Sequence, residues 1–258
     1  MSHFTVGVIV QDPADLEEAL APYGECCEDY YERMEYMSLD DYIYNCREYG
    51  RDGADRTDEE IIEMAHEEYD DIEDGMIYIH CNPNAKWDWW VIGGRWRYKL
   101  RTYKSTPHIK DRDLFADESL KQKGKYRWCD GAKIKDIHLT AMNKPKIEDV
   151  KYWSRFWDVV VEGQPPREGE TFHNLYTSGY YRNMYQTKEN YIMKQSLFLT
   201  HALLDGIEGE WYEQGQMGWF GITDATPETT EDYASKFYNI LRDPAYQDYW
   251  FIVVDCHI

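Results

Sequence analysis

The sequence predicts an α+β fold with a central antiparallel or mixed sheet, helices packed on one face of it, and an acidic helical excursion. Apolar and β-branched runs typical of buried strands open and close the chain at residues 3–10 and 250–255. Helical and strand patterns follow one another between them without an internal repeat. Apolar residues make up 43% of the 258 residues, which suffices for a hydrophobic core, and we expect one unit over 1–258.

The first elements follow from local signals. Asp12 can cap a helix with Pro13 at its first position, and Pro22 would end it. Residues 23–56 mix tyrosines and acids without a clean period, which indicates short helices and loops. Thr57 and Glu60 form a capping-box pattern that starts a helix ending near Gly75. Its apolar stripe is Ile61, Met64, Ala65, Tyr69 and Ile72.

The remaining elements are predicted more coarsely. We expect strands at 76–81 and 87–92, strands near 132–140 in a basic stretch, and a buried strand at 156–161. A surface excursion at 163–188 and a hairpin from 197–204 and 210–214 follow. Thr226 and Pro227 then open a helix, with Tyr233, Phe237, Ile240 and Leu241 facing inward.

Charge is strongly polarised along the chain, whose net charge is −21. Residues 11–75, the acidic excursion, hold 24 acidic and 4 basic side chains, whereas residues 95–151, which contain a predicted basic insertion at 97–151, hold 8 acidic and 16 basic ones. A field of one sign steers association, so the acidic segment could dock on a basic partner or imitate nucleic-acid phosphates. The candidate docking residues are Asp58, Glu59, Glu63 and Glu67; the alternative is a merely solvated helical surface.

The basic stretch leaves two interpretations open: it could bind nucleic acid, or it could neutralise the acidic segment within one molecule or between copies. The overall negative charge disfavours direct binding of free nucleic acid. The six cysteines are dispersed and form no Cys-x-x-Cys pair, and the N-terminus is unlike a signal peptide, so we expect free thiols and a cytoplasmic protein. No apolar run approaches about 20 residues, so we expect no membrane segment. No metal-binding spacing occurs, and we expect no metal or cofactor.

The densest group of chemically capable residues lies at 82–96. Trp87, Asp88, Trp89, Arg95 and Trp96 place aromatic rings beside an acid and a guanidinium, which could stack on a planar ligand or pair with a phosphate or carboxylate. The alternative is that the tryptophans are core residues and that Arg95 forms a buried pair with Asp88 or Asp255. Gly93 and Gly94 lack the other residues of a phosphate-binding loop, so they predict a tight bend or the close approach of another backbone.

Two further segments complete the candidate ligand site. Glycines at 215, 218 and 221 surround Trp219, which could form a pocket wall or a lid, or a hairpin exit that packs on the sheet. At the end of the chain Asp255 and His257 share one face of a strand, so the carboxylate could orient the imidazole. Cys256 points to the opposite face and cannot easily address His257.

These segments resemble a family of uncharacterised bacteriophage and prophage proteins. The shared motifs are the opening Met-Ser-His-Phe-Thr-Val (1–6) with Leu-Ala-Pro-Tyr (20–23), the tryptophan-rich stretch 82–96, the glycine-rich stretch 209–221 and the final Val-Asp-Cys-His-Ile (254–258). Gln216 departs from the pattern, because relatives often have glutamate there. The resemblance implies a phage-infected bacterial cytoplasm as the setting, but no activity.

Three functions remain open at this point. The preferred one is a phage accessory protein that binds, and thereby inhibits, a bacterial defence protein through its acidic surface; it is favoured over an enzyme because no familiar catalytic signature occurs. The second is a binder of a nucleotide-like ligand, or an enzyme acting on one, with a pocket of Trp87, Asp88, Trp89, Arg95, Trp96, Trp219, Asp255 and His257. The third is a homo-oligomer in which acidic and basic segments pair between copies.

Overall fold

The computed structural model describes residues 2–50, 55–103, 126–143, 147–218 and 221–258. The strands are β1 (His3–Val10), β2 (Glu32–Ser38), β3 (Asp71–Glu73), β4 (Met76–Cys81), β5 (Trp89–Ile92), β6 (Leu100–Tyr103), β7 (Tyr126–Cys129), β8 (Gly131–Lys133), β9 (Ala202–Asp205), β10 (Glu210–Glu213) and β11 (Trp250–His257). The helices are α1 (Leu16–Leu20), α2 (Leu39–Glu48), α3 (Asp58–Glu68), α4 (Leu139–Met142), α5 (Ile147–Phe156), α6 (Ser178–Tyr185), α7 (Lys188–Ser196) and α8 (Pro227–Arg242). The predicted α+β class is confirmed.

The first and last strands lie together at the centre of the largest sheet. Its order is β10-β9-β1-β11-β5, and β8 also pairs with β11, beyond the end of β5. Because β1 runs parallel to β9 and antiparallel to β11, the sheet is mixed. Both central strands are mostly apolar, and every residue of β11 is buried. The strand and hairpin predictions at 3–10, 250–255 and 197–214 are confirmed, although β9 begins only at Ala202.

Helix α8 covers one face of this sheet, as its apolar pattern predicts. Tyr233, Phe237, Ile240 and Leu241 are buried, and the rings of Phe237 and Phe251 meet edge to face at 5.9 Å. Burying a side chain such as Phe237 contributes roughly 1.5–3 kcal/mol. A capping box between Thr226 and Thr229 opens the helix. Gly7 leaves room for the ring of Phe251, since a Cβ there would lie 2.4 Å from it.

The chain divides into two compact units, which are described separately. One consists of residues up to 20 together with 89–258, and contains the central sheet; the other is 21–88. In the second unit α2 and α3 accompany a three-stranded sheet of order β2-β4-β3 around a core of Tyr42, Ile61, Ala65 and Ile77. The predicted acidic excursion at 11–75 overlaps this unit. That 1–258 forms a single α+β unit stays a prediction.

The predicted buried strand at 156–161 is wrong. The segment is helical instead: a π-helix, Trp157–Val161, directly continues α5. Phe156, Trp157 and Val161 are buried against Tyr181 of α6 and Tyr191 of α7. A short apolar run with three valines fits either a buried strand or a buried helix by periodicity, and here the aromatic partners on α6 and α7 decide between them. The predicted surface excursion at 163–188 therefore also contains a helix that packs.

The prediction for residues 23–75 is also wrong in part. Residues 32–38 form a strand rather than a loop, and the helix that begins after Thr57 ends at Glu68, so Ile72 lies in β3. The pairing is stabilised across the sheet: Arg33 on β2 donates to Asp71 and Glu73 on β3 at 2.7–2.9 Å, and its guanidinium lies over the ring of Tyr78. Such contacts between distant segments leave no local periodicity.

The basic segment 97–151 contributes β6, β7, β8, α4 and the start of α5. Residues 104–125 and 144–146 of this segment lie outside the described ranges. Of the strands predicted near 132–140, only β8 is present, and Leu139–Met142 is helical. Within the described ranges, no helix is both long and apolar enough to cross a membrane.

Candidate functional site

The C-terminal motif meets the N-terminal strand at one end of the central sheet. In the β1–β11 register His3 faces His257 and Thr5 faces Asp255, and on the other side of β11 Trp89 faces His257. Directly paired residues project to the same face of a sheet, and so do alternate residues along a strand. His3, Thr5, Trp89, Asp255 and His257 therefore share one face.

Asp255 is the buried centre of this group, with 2% of its surface exposed. One carboxylate oxygen lies 2.8 Å from Nδ1 of His3, and the other accepts the backbone N–H of Arg95 at 2.8 Å. A carboxylate at Nδ1 orients the imidazole and favours a proton on that nitrogen. Strand alternation predicts that Asp255 could orient His257, whereas the imidazole within hydrogen-bonding distance of this carboxylate is that of His3.

The rings around this pair form a compact aromatic group. The indole of Trp89 stacks on His257 at 5.1 Å with an interplanar angle of 16°. The ring of His3 meets both edge-on, at 5.3 Å from Trp89 and 4.9 Å from His257. His257 is buried whereas Trp89 is 44% exposed, so the indole forms the solvent side of the group. His3 is not among the residues predicted for the site; its place in the opening motif at 1–6 is the sequence signal that could have found it.

The two adjacent glycines of the tryptophan-rich motif each approach a buried carboxylate. Gly94 has φ +47°, and a Cβ there would lie 2.3 Å from Cβ and Oδ2 of Asp255. Gly93 has φ +70°, and a Cβ there would lie 2.6 Å from Oδ2 of Asp130. Backbone N–H groups just beyond the glycines bind the same carboxylates, that of Arg95 binding Asp255 and that of Tyr98 binding Asp130. The pair therefore holds a tight turn against two acids.

Burial raises the pKa of Asp130, and the bond from the Tyr98 N–H and the charge of Arg97 only partly oppose the shift. Burial likewise raises the pKa of the neighbouring Cys129 thiol to about 12. Thiolate is the reactive form of cysteine, so Cys129 is an inert core residue. Asp130 has a structural role in the turn, which no local sequence pattern indicates.

The predicted pocket residues are divided between the two units of the chain. The side chain of Arg95 is exposed, so it does not form the buried pair with Asp255 that the structural alternative supposes, although its backbone N–H donates to that carboxylate. Trp96 is half-buried and packs against the core under α8. Trp89, Arg95, Trp96, Asp255 and His257 thus belong to one unit and gather at this end of β11, while Trp219 lies outside the described residues.

Trp87 and Asp88 belong to the unit of residues 21–88. Trp87 pairs there with Gly24, where a Cβ would lie 2.8 Å from the indole. Asn82, the first residue of the motif, is buried and donates to the carbonyls of Pro22 and Gly24 at 2.9 and 3.0 Å. The motif residues up to Asp88 therefore belong to this unit, and Asn82 and Trp87 stabilise its local structure.

The same unit carries most of the negative charge. Residues 21–88 hold 21 acidic and 5 basic side chains, a net of −16 out of −21. Asp58, Glu59, Glu63 and Glu67 are all exposed on α3, and we call this group the acidic surface of α3. Its opposite side is buried through Ile61 and Ala65. Asp58 also pairs with Arg47 of α2.

Exposed aromatic side chains accompany these acids. Tyr49 is 78% exposed, and the other exposed large side chains of the unit are Tyr30, Tyr31, Met34, Tyr36 and Tyr44. By contrast, burial together with a hydrogen bond to Glu68 raises the pKa of Tyr69 to about 12, in keeping with its packing against the core of the unit.

The described residues contain no group of three or more His, Cys, Asp or Glu side chains arranged to hold a metal ion. No protein-family model, curated protein or solved structure matches the chain.

Proposed function

We propose that this chain is a binding protein that uses the acidic surface of α3 and the neighbouring exposed tyrosines to dock on a cationic surface of a partner protein. The observation that carries the proposal is the concentration of a net charge of −16 in one unit of 68 residues. A local field of one sign raises the association rate of an oppositely charged partner.

Helix stability explains Asp58 and Glu59 in the first turn of α3, but it does not explain Glu63 and Glu67. Glu59, Glu63 and Glu67 follow one another at four-residue spacing, and like charges at this spacing destabilise a helix by about 0.2–0.5 kcal/mol per pair. Glu67 also lies in the last turn, where the helix dipole disfavours negative charge. A cationic partner would relieve this repulsion on binding.

The exposed tyrosines fit the same function. Tyrosine is enriched in protein interfaces, because it supplies a large contact area and a hydroxyl at a low cost in side-chain entropy. Tyr44 on α2 and Tyr49 just after it are at least 57% exposed, and Met34 and Tyr36 lie on the exposed strand β2. The acids would then raise the rate of association with the partner, and the aromatic contacts would supply most of the binding affinity.

A narrower form of the proposal names the partner class. The resemblance to bacteriophage proteins supports a bacterial defence protein as the partner and the cytoplasm of an infected cell as the location. Many proteins that act on nucleic acid carry a basic surface, and an acidic protein surface can compete for it. This narrower form rests on the resemblance, whereas the docking surface rests on charge and exposure.

The test is capture of partners from lysates of infected and uninfected bacteria by three forms of the full-length chain. The first is unchanged, the second carries D58N, E59Q, E63Q and E67Q, and the third carries E189Q, E208Q, E231Q and D232N, which remove four exposed acids of the other unit. We expect a partner whose recovery falls at least about tenfold with the second form and persists with the third. Equal recovery of every captured protein by the second and third forms would refute the docking surface.

A further inference from the structure

A cavity of about 300 Å³ opens beside the central sheet, within the unit that contains β1 and β11. Thr5 of β1 and Val253 of β11 contribute to it from the same sheet face as Asp255. Its volume is at the lower end of the range of small-molecule sites, about 300–1,000 Å³. Its lining residues differ from those of the acidic surface of α3, and among the predicted ligand residues that the structure describes only Trp96 lines it.

Three tryptophans from separate elements line this cavity: Trp96 after β5, Trp128 on β7 and Trp153 on α5. Each is only partly buried, so indole surface remains available inside the cavity. Trp153 is held in place by the ring of Tyr191, which it meets edge-on at 5.9 Å. Aromatic surface of this kind binds planar rings, and stacking of a base on an aromatic side chain contributes about 1–3 kcal/mol.

Two cations line the same cavity. Arg101 is fixed by a bond from one terminal nitrogen to the carbonyl of Ala141 at 2.7 Å and by the ring of Trp128, which lies 4.4 Å from its guanidinium carbon. Lys99 lies two residues earlier on the chain. Among the described residues, no carboxylate lies within ion-pair distance of either cation. Asp149 is the one acid among the lining residues that the structure describes, so the net charge of these residues is positive.

The guanidinium of Arg101 is also incompletely satisfied. Its Nε is buried and has no hydrogen-bond partner among the described residues. A buried charged donor without a partner is costly, and an anion placed against the guanidinium would offset that cost. Gln195 and Ser196 add polar groups to the wall.

We propose that this cavity binds a planar heteroaromatic ligand that carries one phosphate, of the size of a nucleoside monophosphate. The ring lies among Trp96, Trp128 and Trp153, and the phosphate accepts hydrogen bonds from Lys99 and Arg101. The volume excludes a dinucleotide held entirely inside the cavity.

The test measures binding of AMP, GMP, CMP and UMP to the full-length chain by isothermal titration calorimetry and by quenching of tryptophan fluorescence. Adenosine and inorganic phosphate serve as separate probes of the ring and the anion. We expect a monophosphate to bind at least about tenfold more tightly than either fragment, because stacking and the charge-assisted bonds both contribute. Absence of binding by all four nucleotides up to about 1 mM, or phosphate binding as tightly as the nucleotides, would overturn the proposal.

Variants locate the site. K99Q and R101Q should each weaken binding roughly tenfold or more, since each removes a charged donor. K151Q is the matched control, because Lys151 is an exposed lysine of α5 outside the cavity lining. R101Q also loses the bonds that fix Arg101, so K99Q decides the outcome if R101Q fails to fold. Affinity unchanged by K99Q, or reduced equally by K151Q, would show that the cavity is not the site.

Discussion

Replacing Gly94 with alanine tests the contact between the glycine turn and the buried carboxylate of Asp255. Gly94 has φ +47°, and the new Cβ would lie 2.3 Å from Asp255. The left-handed backbone costs an alanine about 1–2 kcal/mol. The carboxylate must also move, which weakens its bonds to Arg95 N–H and His3, and hydrogen bonds to a charged group contribute about 1.5–3 kcal/mol each. We therefore expect G94A to destabilise the chain by roughly 3–5 kcal/mol.

Gly163 supplies the matched control, because it has φ +76° and a Cβ added there would meet no atom within 4 Å. G163A should therefore lose only the backbone contribution, about 1–2 kcal/mol. Urea unfolding of both variants, monitored by far-ultraviolet circular dichroism, gives the two free energies of unfolding. The dependence of this free energy on urea concentration should be the same in both variants. Equal losses for G94A and G163A would refute the reasoning that Gly94 is required by its approach to Asp255.

Three more predictions concern α3, His201 and the oligomeric state. T57A should destabilise the 21–88 unit by about 0.5–2 kcal/mol, because the Thr57 hydroxyl accepts the N–H of Glu60. The control E60Q retains a capping-box acceptor and should change the free energy of unfolding by only a few tenths of a kcal/mol. Equal losses for the two variants in urea unfolding would contradict the capping role. Burial lowers the pKa of His201 in the folded chain, whereas the unfolded chain takes up a proton there below about pH 6.5. The difference in free energy of unfolding between the unchanged chain and H201Q should therefore be greatest above that pH and shrink as the pH falls. A difference that grows on acidification would contradict this prediction. Light scattering should give the same molecular mass for the chain at about 50 mM and 500 mM salt, since docking on a foreign partner needs no self-association. A larger mass at low salt, abolished in the variant that carries D58N, E59Q, E63Q and E67Q, would instead favour pairing between copies.

The elements predicted correctly are those with strong local signals. The Thr57 and Thr226 starts of α3 and α8 follow from capping patterns, and β1 and β11 follow from continuous apolar runs between polar residues. These signals act within a few residues along the chain, so they are visible without knowledge of the fold.

The errors arise where distant partners decide the structure. The run at 157–161 is helical because aromatic rings of α6 and α7 surround it. Strand β2 forms by backbone pairing with the distant β4, and Arg33 reaches across β4 to Asp71 and Glu73. Nothing in either local pattern reveals those partners. Tertiary packing overrides weak local preferences in both cases.

The candidate ligand residues are predicted only in part. That Asp255 and His257 share a face follows from strand alternation, but the partner of Asp255 is His3, at the opposite end of the chain. Trp128, Trp153 and Arg101 of the cavity are not predicted, because they come from β7, α5 and β6 and converge only in the folded chain. The acidic surface of α3 follows from composition alone, since charge is a property of the segment rather than of its contacts.

The most direct test of electrostatic docking is the salt dependence of the association rate with the captured partner. Surface plasmon resonance would measure this rate for the unchanged chain and for the variant carrying D58N, E59Q, E63Q and E67Q, between about 50 and 500 mM salt, where screening becomes strong. We predict a steep fall in rate with salt for the unchanged chain and a clearly shallower one for the variant. Identical salt dependence in the two proteins would contradict docking through the acidic surface of α3.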